Sequence, residues 1–222
     1  MVTRRQLVKR IVGIAVATAA APMLNRGWFQ LFAQSNTKYS TRAIDLLQRS
    51  TTVDMLNPFT LIGVLAPLKG DKRPTWFTNP ETFTAAKSDE AIRKMAEKGG
   101  VMGITEVRNF VAPKEPTTIE NLLDHYDHVA KLVGVEHVGV ASDIDLDGYD
   151  ALPDDYKKWL RGLFKSSYAF RDKMDTDGVN HYKRMFDLTD GLIRRRYSDA
   201  DIELVLGGNF RRVLEKIWSS KG

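Results

Sequence analysis

Residues 99–145 read GGVMGITEVRNFVAPKEPTTIENLLDHYDHVAKLVGVEHVGVASDID, and the order of signals in this stretch decides the fold class. Gly99-Gly100 closes a helix that Ser88 opens as N-cap, with Asp89 and Glu90 in its first turn and Lys94 and Lys98 toward its end. Val101–Val107 alternates weakly, as a strand does. Thr117-Thr118-Ile119-Glu120 reads as a capping box. It opens a helix whose Ile119, Leu122, Leu123, Tyr126, Val129, Ala130 and Val133 fall on one face. Gly134 ends that helix, and Val135–Ala141 is a short apolar strand running into Ser142-Asp143-Ile144-Asp145. Helix, strand, helix, strand predicts an α/β unit whose two strands are parallel neighbours joined by a helical crossover. Two or three strands make only a fragment of such a sheet.

Outward from this unit the signals vary in strength. Downstream, 150–196 is polar and predicts two helices broken near Asp175–Gly178. Ser198 caps a short helix stopped by Gly207-Gly208, and Asn209–Trp218 is a last amphipathic helix. Upstream, Thr41–Ser50 is a short helix, and Thr51–Val53 opens a strand that stops at Asn57-Pro58. From Phe59 to Ala86 regular structure is discouraged by Pro67, Pro74, Pro80, Gly63 and Gly70.

Charge is distributed unevenly. The 222 residues hold 33 Lys and Arg against 28 Asp and Glu, a formal +5, but Arg4, Arg5, Lys9, Arg10 and Arg26 lie in residues 1–35 with no acid among them. The remainder is formally neutral, so the folded part lacks the basic excess of a nucleic-acid binder, and no nucleic-acid partner is expected. Cysteine is absent, which excludes disulfides, thiolate metal sites and a cysteine nucleophile. Residues 1–35 read as an export signal: a basic start, an apolar run from Ile11 to Ala21 that is too short to span a bilayer, then small residues. Thr3-Arg4-Arg5-Gln6-Leu7-Val8-Lys9 resembles the twin-arginine pattern, with Arg4 and Arg5 as the pair that the export machinery reads.

Two constellations could carry chemistry. Asp124-His125-Tyr126-Asp127-His128 has the composition of a metal site, but at the helical period its side chains diverge. A solvated flank with local hydrogen bonds is the reading that fits the geometry. Asp143 and Asp145 follow the second strand, where α/β folds keep their active sites, and each reads either as a functional carboxylate or as a loop cap. Lys157-Lys158 and Arg194-Arg195-Arg196 read as solvated helix faces.

Gly99-Gly100-Val101-Met102-Gly103-Ile104, then Thr117–Val133, then Val135–Asp145, then Arg196–Ile202 and Gly207–Leu214 are together similar to the membrane (renal) dipeptidase family. The likeness is strong over 87–149 and 196–218, slight over 43–58 and absent over 60–86. It implies a metal-dependent hydrolase of (β/α)8 TIM-barrel fold, with two zinc ions bridged by a carboxylate and dipeptides cleaved by a metal-activated water. The departures are severe. The family's first-strand His-x-Asp pair should follow Val53-Asp54, where this chain has Leu56 and Pro58. Ala86 runs straight into Lys87-Ser88, the family's late-barrel helix, so the middle strands and their zinc ligands are missing. Only the aspartate after the last strand carries over, onto Asp143, as the sole catalytic and metal-binding candidate.

The expected organisation is an export signal (1–35), a first-strand remnant with an irregular linker (36–86), and the C-terminal part of a dipeptidase-like barrel (87–222). The expected function is that of an exported zinc dipeptidase whose activity is lost with most of its ligands. The rival is a non-catalytic periplasmic interaction or structural module derived from such a barrel. Expected partners are the twin-arginine machinery, a dipeptide by family, and a second copy of the chain. The expected location is the periplasm or the exterior, or the membrane if the signal is kept as an anchor.

Overall fold

The structure is a computed structural model that describes residues 28–30, 38–55, 88–163 and 170–219. Arg4, Arg5 and nearly all of the expected export signal, Leu56 and Pro58, and the expected linker to Lys87 lie outside the described residues. Strand β1 (Trp28–Gln30) pairs antiparallel with β2 (Lys38–Ser40). Helix α1 (Thr41–Arg49) follows, capped by the Ser40 hydroxyl, which accepts from the Ala43 amide. Next come α2 (Asp89–Glu97), β3 (Met102–Ile104), α3 (Arg108–Val111), α4 (Ile119–Val133) and β4 (Val138–Val140). The chain ends in α5 (Asp154–Leu163), α6 (Arg184–Arg194), α7 (Asp199–Glu203) and α8 (Asn209–Ser219). No helix among the described residues is long and apolar enough to cross a membrane.

β3 and β4 are parallel, in the register Met102 to Val138 and Ile104 to Val140, with α4 as the crossover. This is the expected α/β unit. On the far side of β4 lies the segment 51–55. Val53 donates its amide to the Leu206 carbonyl at 2.8 Å, Met55 donates to Val140 at 3.0 Å, and Asp54 bridges in parallel to Val140. The layer order is therefore 51–55, β4, β3. The strand expected at Thr51–Val53 is reduced to that one bridge.

The core follows the sequence periodicity. Leu122, Leu123, Tyr126 and Val129 bury the inner stripe of α4 against Ile104 and Val140 of the strands and Leu188 and Leu192 of α6. Gly139 makes the other face flat enough for Phe210 of α8, whose ring lies 2.3 Å from where a Cβ would stand. The guanidinium of Arg108, fully buried, pairs with Glu115 and Asp177 and donates Nε to the Asp175 carbonyl at 2.6 Å. That network ties the loop before α4 to the segment before α6.

Several boundaries differ from expectation. The capping box is shifted by one residue: Thr118 is the N-cap and Asn121, not Glu120, returns the bond. Val101–Val107 keeps only three strand residues, because Val107 turns away to bridge Asp175. Val135–His137 is a 3-10 turn, so β4 starts late. The break between α5 and α6 is much wider than Asp175–Gly178. Gly207-Gly208 interrupts the helix as expected. A wide turn over Leu204–Gly208 follows α7, and Gly207, with φ 175° and ψ −16°, kinks the chain before α8, where Leu206 and Gly207 lie against Thr51–Val53.

Candidate functional site

The carboxylates gather where the strands end. Asp143 stands three residues past β4 with φ 56°, a left-handed backbone that is uncommon outside glycine and that Asp adopts more readily than most residues. Burial, and after it the charge of Asp54, pushes its carboxyl up to about 7. Asp54 approaches from the 51–55 segment and accepts from the Ser142 amide at 2.8 Å and from the Ser142 hydroxyl. The loop beyond Asp143 is held by Arg184, 3 % exposed, at the start of α6. Its Nη2 donates to the Ile144 carbonyl at 3.1 Å, and its Nη1 donates to Asp145 at 3.0 Å and Leu146 at 3.2 Å. Glu106, two residues past β3, is fully buried, and its amide donates to the Ser142 carbonyl at 2.9 Å. Desolvation is the main cause that drives the Glu106 carboxyl up to about 8.

The sequence reading singled out Asp143 and did not single out Glu106 or Arg184, which the structure places beside the same loop. Glu106 could have been found by analogy, because it leaves β3 much as Asp143 leaves β4. Arg184 had no local signal, since what buries it is the distant 144–146 loop.

Asp124-His125-Tyr126-Asp127-His128 does not converge. His125 Nε2 bonds the Val111 carbonyl at 2.7 Å, His128 Nε2 meets Asp89 at 2.8 Å, and Tyr126 is in the core. Asp124 and Asp127 accept from Arg195 Nη1 at 2.8 and 2.9 Å, and Asp127 also accepts from the Tyr197 hydroxyl. Asp124 and His128 are solvent-exposed, as expected of a flank. The hydrogen bonds are not local, however: they cross from α4 to α2, α3 and the end of α6. Arg195 correspondingly departs from a free helix face, while Lys157 keeps a local pairing with Asp154.

The remaining histidines are engaged as well. His137 Nδ1 meets the Gly100 carbonyl at 2.7 Å. His181 Nδ1 accepts from the Lys183 amide at 3.2 Å, which leaves Nε2 to donate toward Asp187 at 3.4 Å. Among the described residues no three His, Asp or Glu side chains are grouped as a metal ion requires. The described residues alone do not fit a dinuclear zinc centre.

Residues 83–172 match the model of the membrane dipeptidases, peptidase family M19. That match covers less than half of the chain. Curated relatives that the chain resembles include dipeptidase verJ of Clonostachys rogersoniana, 26 % identical over 129 residues, which cover 58 % of this chain and 26 % of that protein. Dipeptidase ataJ of Aspergillus terreus is 25 % identical over 153 residues, covering 66 % of this chain and 31 % of the relative. The chain thus spans between a quarter and a third of the length of these relatives. In fold, an amidohydrolase of Pseudomonas aeruginosa superposes with a TM-score of 0.50 at 21 % identity, over 81 % of this chain and 50 % of its own.

Proposed function

We propose that the chain is an exported relative of the membrane dipeptidases that keeps the closing part of a (β/α)8 barrel without the zinc centre, and does not itself cleave dipeptides. The observation that carries this reading is the engagement of all four histidines away from Asp143. Asp143 is left with Asp54 as the charged neighbour that perturbs it. Two carboxylates without a histidine form too small a set for a zinc pair. The partial barrel is supported by the parallel order of 51–55, β4 and β3, the arrangement in which a first barrel strand closes on the last. Purified chain should contain less than stoichiometric zinc and show no dipeptide turnover above that of Asp143→Ala. Stoichiometric zinc, with turnover lost in the variant, would restore the enzyme reading.

A non-catalytic module built from this barrel is the second reading, and the edge of β3 favours it. Among the described residues β3 pairs only with β4. Beside it lies an open pocket of about 460 Å³ lined by Ile92, Met102, Ile104, Phe110 and Val129 together with His125 and His128. An open strand edge beside an apolar groove favours association. Sedimentation should accordingly find the chain as a dimer or larger species, and a monodisperse monomer would count against an exposed edge.

Export rests on Thr3–Lys9 and the all-basic leader. A reporter fused to residues 1–40 should reach the periplasm, and replacing Arg4 and Arg5 by Lys should abolish its export. Equal export of the double variant would remove the twin-arginine assignment.

A further inference from the structure

Glu106 is buried completely, and neither of its side-chain oxygens has a hydrogen-bond partner. An ionised carboxylate in that condition is costly, and a neutral carboxyl much less so. The charged and titratable groups facing it come from every element packed around it. Arg184 and Asp187 stand on α6, Asp54 on the first segment, Asp175 on the segment before α6, and the Tyr126 hydroxyl on α4. Desolvation above all, partly offset by Arg184 and reinforced by the three acids, keeps the proton in place and brings Glu106 to titrate at about 8.

The base is not yet committed to Glu106. Arg184 Nε stands 3.8 Å from Glu106 Oε2, within ion-pair range but beyond hydrogen-bond length. Both Nη atoms are engaged on the carbonyl oxygens after Asp143. A side-on guanidinium–carboxylate pair uses Nε together with Nη2. Here Nη2 is the atom that holds Ile144, the residue next to Asp143. Nη2 has two N–H donors, so the competition is for the position of the rigid fork: bringing Nε from 3.8 Å to hydrogen-bond length moves the guanidinium by about 1 Å and disturbs loop contacts already set at 3.0–3.2 Å.

We propose that Glu106 and Arg184 form a pH-set latch on the loop that carries Asp143. With Glu106 protonated, Arg184 holds the Ile144, Asp145 and Leu146 carbonyls and Asp143 keeps its left-handed backbone. When Glu106 gives its proton to solvent, the carboxylate draws Nε and Nη2 into a side-on pair, the Ile144 carbonyl is released, and Asp143 leaves that conformation.

The test reads the folded full-length chain by NMR from pH 6 to 9.5, with carbon-13 in glutamate side chains and nitrogen-15 in arginine side chains and backbone amides. The Glu106 carboxyl carbon and the Arg184 Nε are expected to shift together with a midpoint near 8, and the Asp143 and Ile144 amides to show that step in addition to one near 7 from the Asp143 carboxyl itself. In Glu106→Gln the Arg184 and loop transitions near 8 are expected to vanish. Arg184 and loop signals that lack the step shared with Glu106, or a step near 8 that persists in the Gln variant, would overturn the latch. If the Gln variant does not fold, the wild-type midpoints decide alone: coincidence supports the latch, and Glu106 ionising below pH 6 or apart from the others defeats it.

Discussion

Glu106→Gln is expected to flatten the pH dependence of folding stability and to leave the variant more stable than the wild type at alkaline pH. Below pH 4.5 the carboxyl is protonated in folded and unfolded chains alike, and this residue adds no pH dependence. Between 4.5 and about 8 the unfolded chain has released the proton while the folded chain retains it. Stability therefore falls as pH rises through this window and levels off above it. At ~1.4 kcal/mol for each unit of displacement, the loss is roughly 3–5 kcal/mol, a large share of a small domain's stability. Asp143, raised to about 7, and Asp175 and Asp187, each raised to about 6, act in the same sense over narrower windows. The variant thus keeps part of the slope. A buried amide must also satisfy its own donors, so near pH 5 it should be equal to or below the wild type, and the two curves should cross. Urea unfolding at half-unit pH steps gives the difference directly. Parallel curves would show that Glu106 ionises as easily in the folded chain as in the unfolded one.

Gly207→Ala is expected to detach the 51–55 segment and cost ~3–5 kcal/mol. A Cβ at Gly207 would stand 2.0 Å from the Thr51 carbonyl oxygen and 2.8 Å from the Val53 amide nitrogen. Both are backbone atoms, which cannot swing aside as a side-chain tip can. The segment would have to withdraw, giving up the Val53–Leu206 and Met55–Val140 bonds and the grip of Asp54 on Ser142. Withdrawal also removes the charge that helps raise Asp143, so the Asp143 midpoint should fall toward the ordinary carboxylate range. Gly162→Ala is the matched control. It lies in α5 with nothing within 4 Å of the added carbon, and it should be neutral or stabilising by about 0.5–1 kcal/mol. Equal stability of the two variants would mean that the 51–55 segment does not rest on Gly207.

The parts of the fold legible in the sequence are those fixed by neighbours along the chain. Ser88 and Ser198 cap the helices they were expected to open, and Leu122, Leu123, Tyr126 and Val129 form the buried stripe their spacing predicts. The parallel pairing of β3 with β4 follows from the helical crossover between them. The position of Asp143 just beyond a strand was legible as well.

Contacts between residues far apart in sequence were decided only by the tertiary structure. Three-residue strands arise because Val107 is drawn to Asp175 and Val135–His137 coils before β4, choices that local propensity does not encode. Arg195 and Asp127 look solvated at the helical period, yet they meet because α4 and α6 pack side by side. Glu106 and Arg184 carry no sign of burial in their own segments. Desolvation by surrounding elements, which falls off over a few ångströms of space irrespective of chain distance, turns two ordinary charged residues into the most perturbed acid at the strand ends and the clamp beside it.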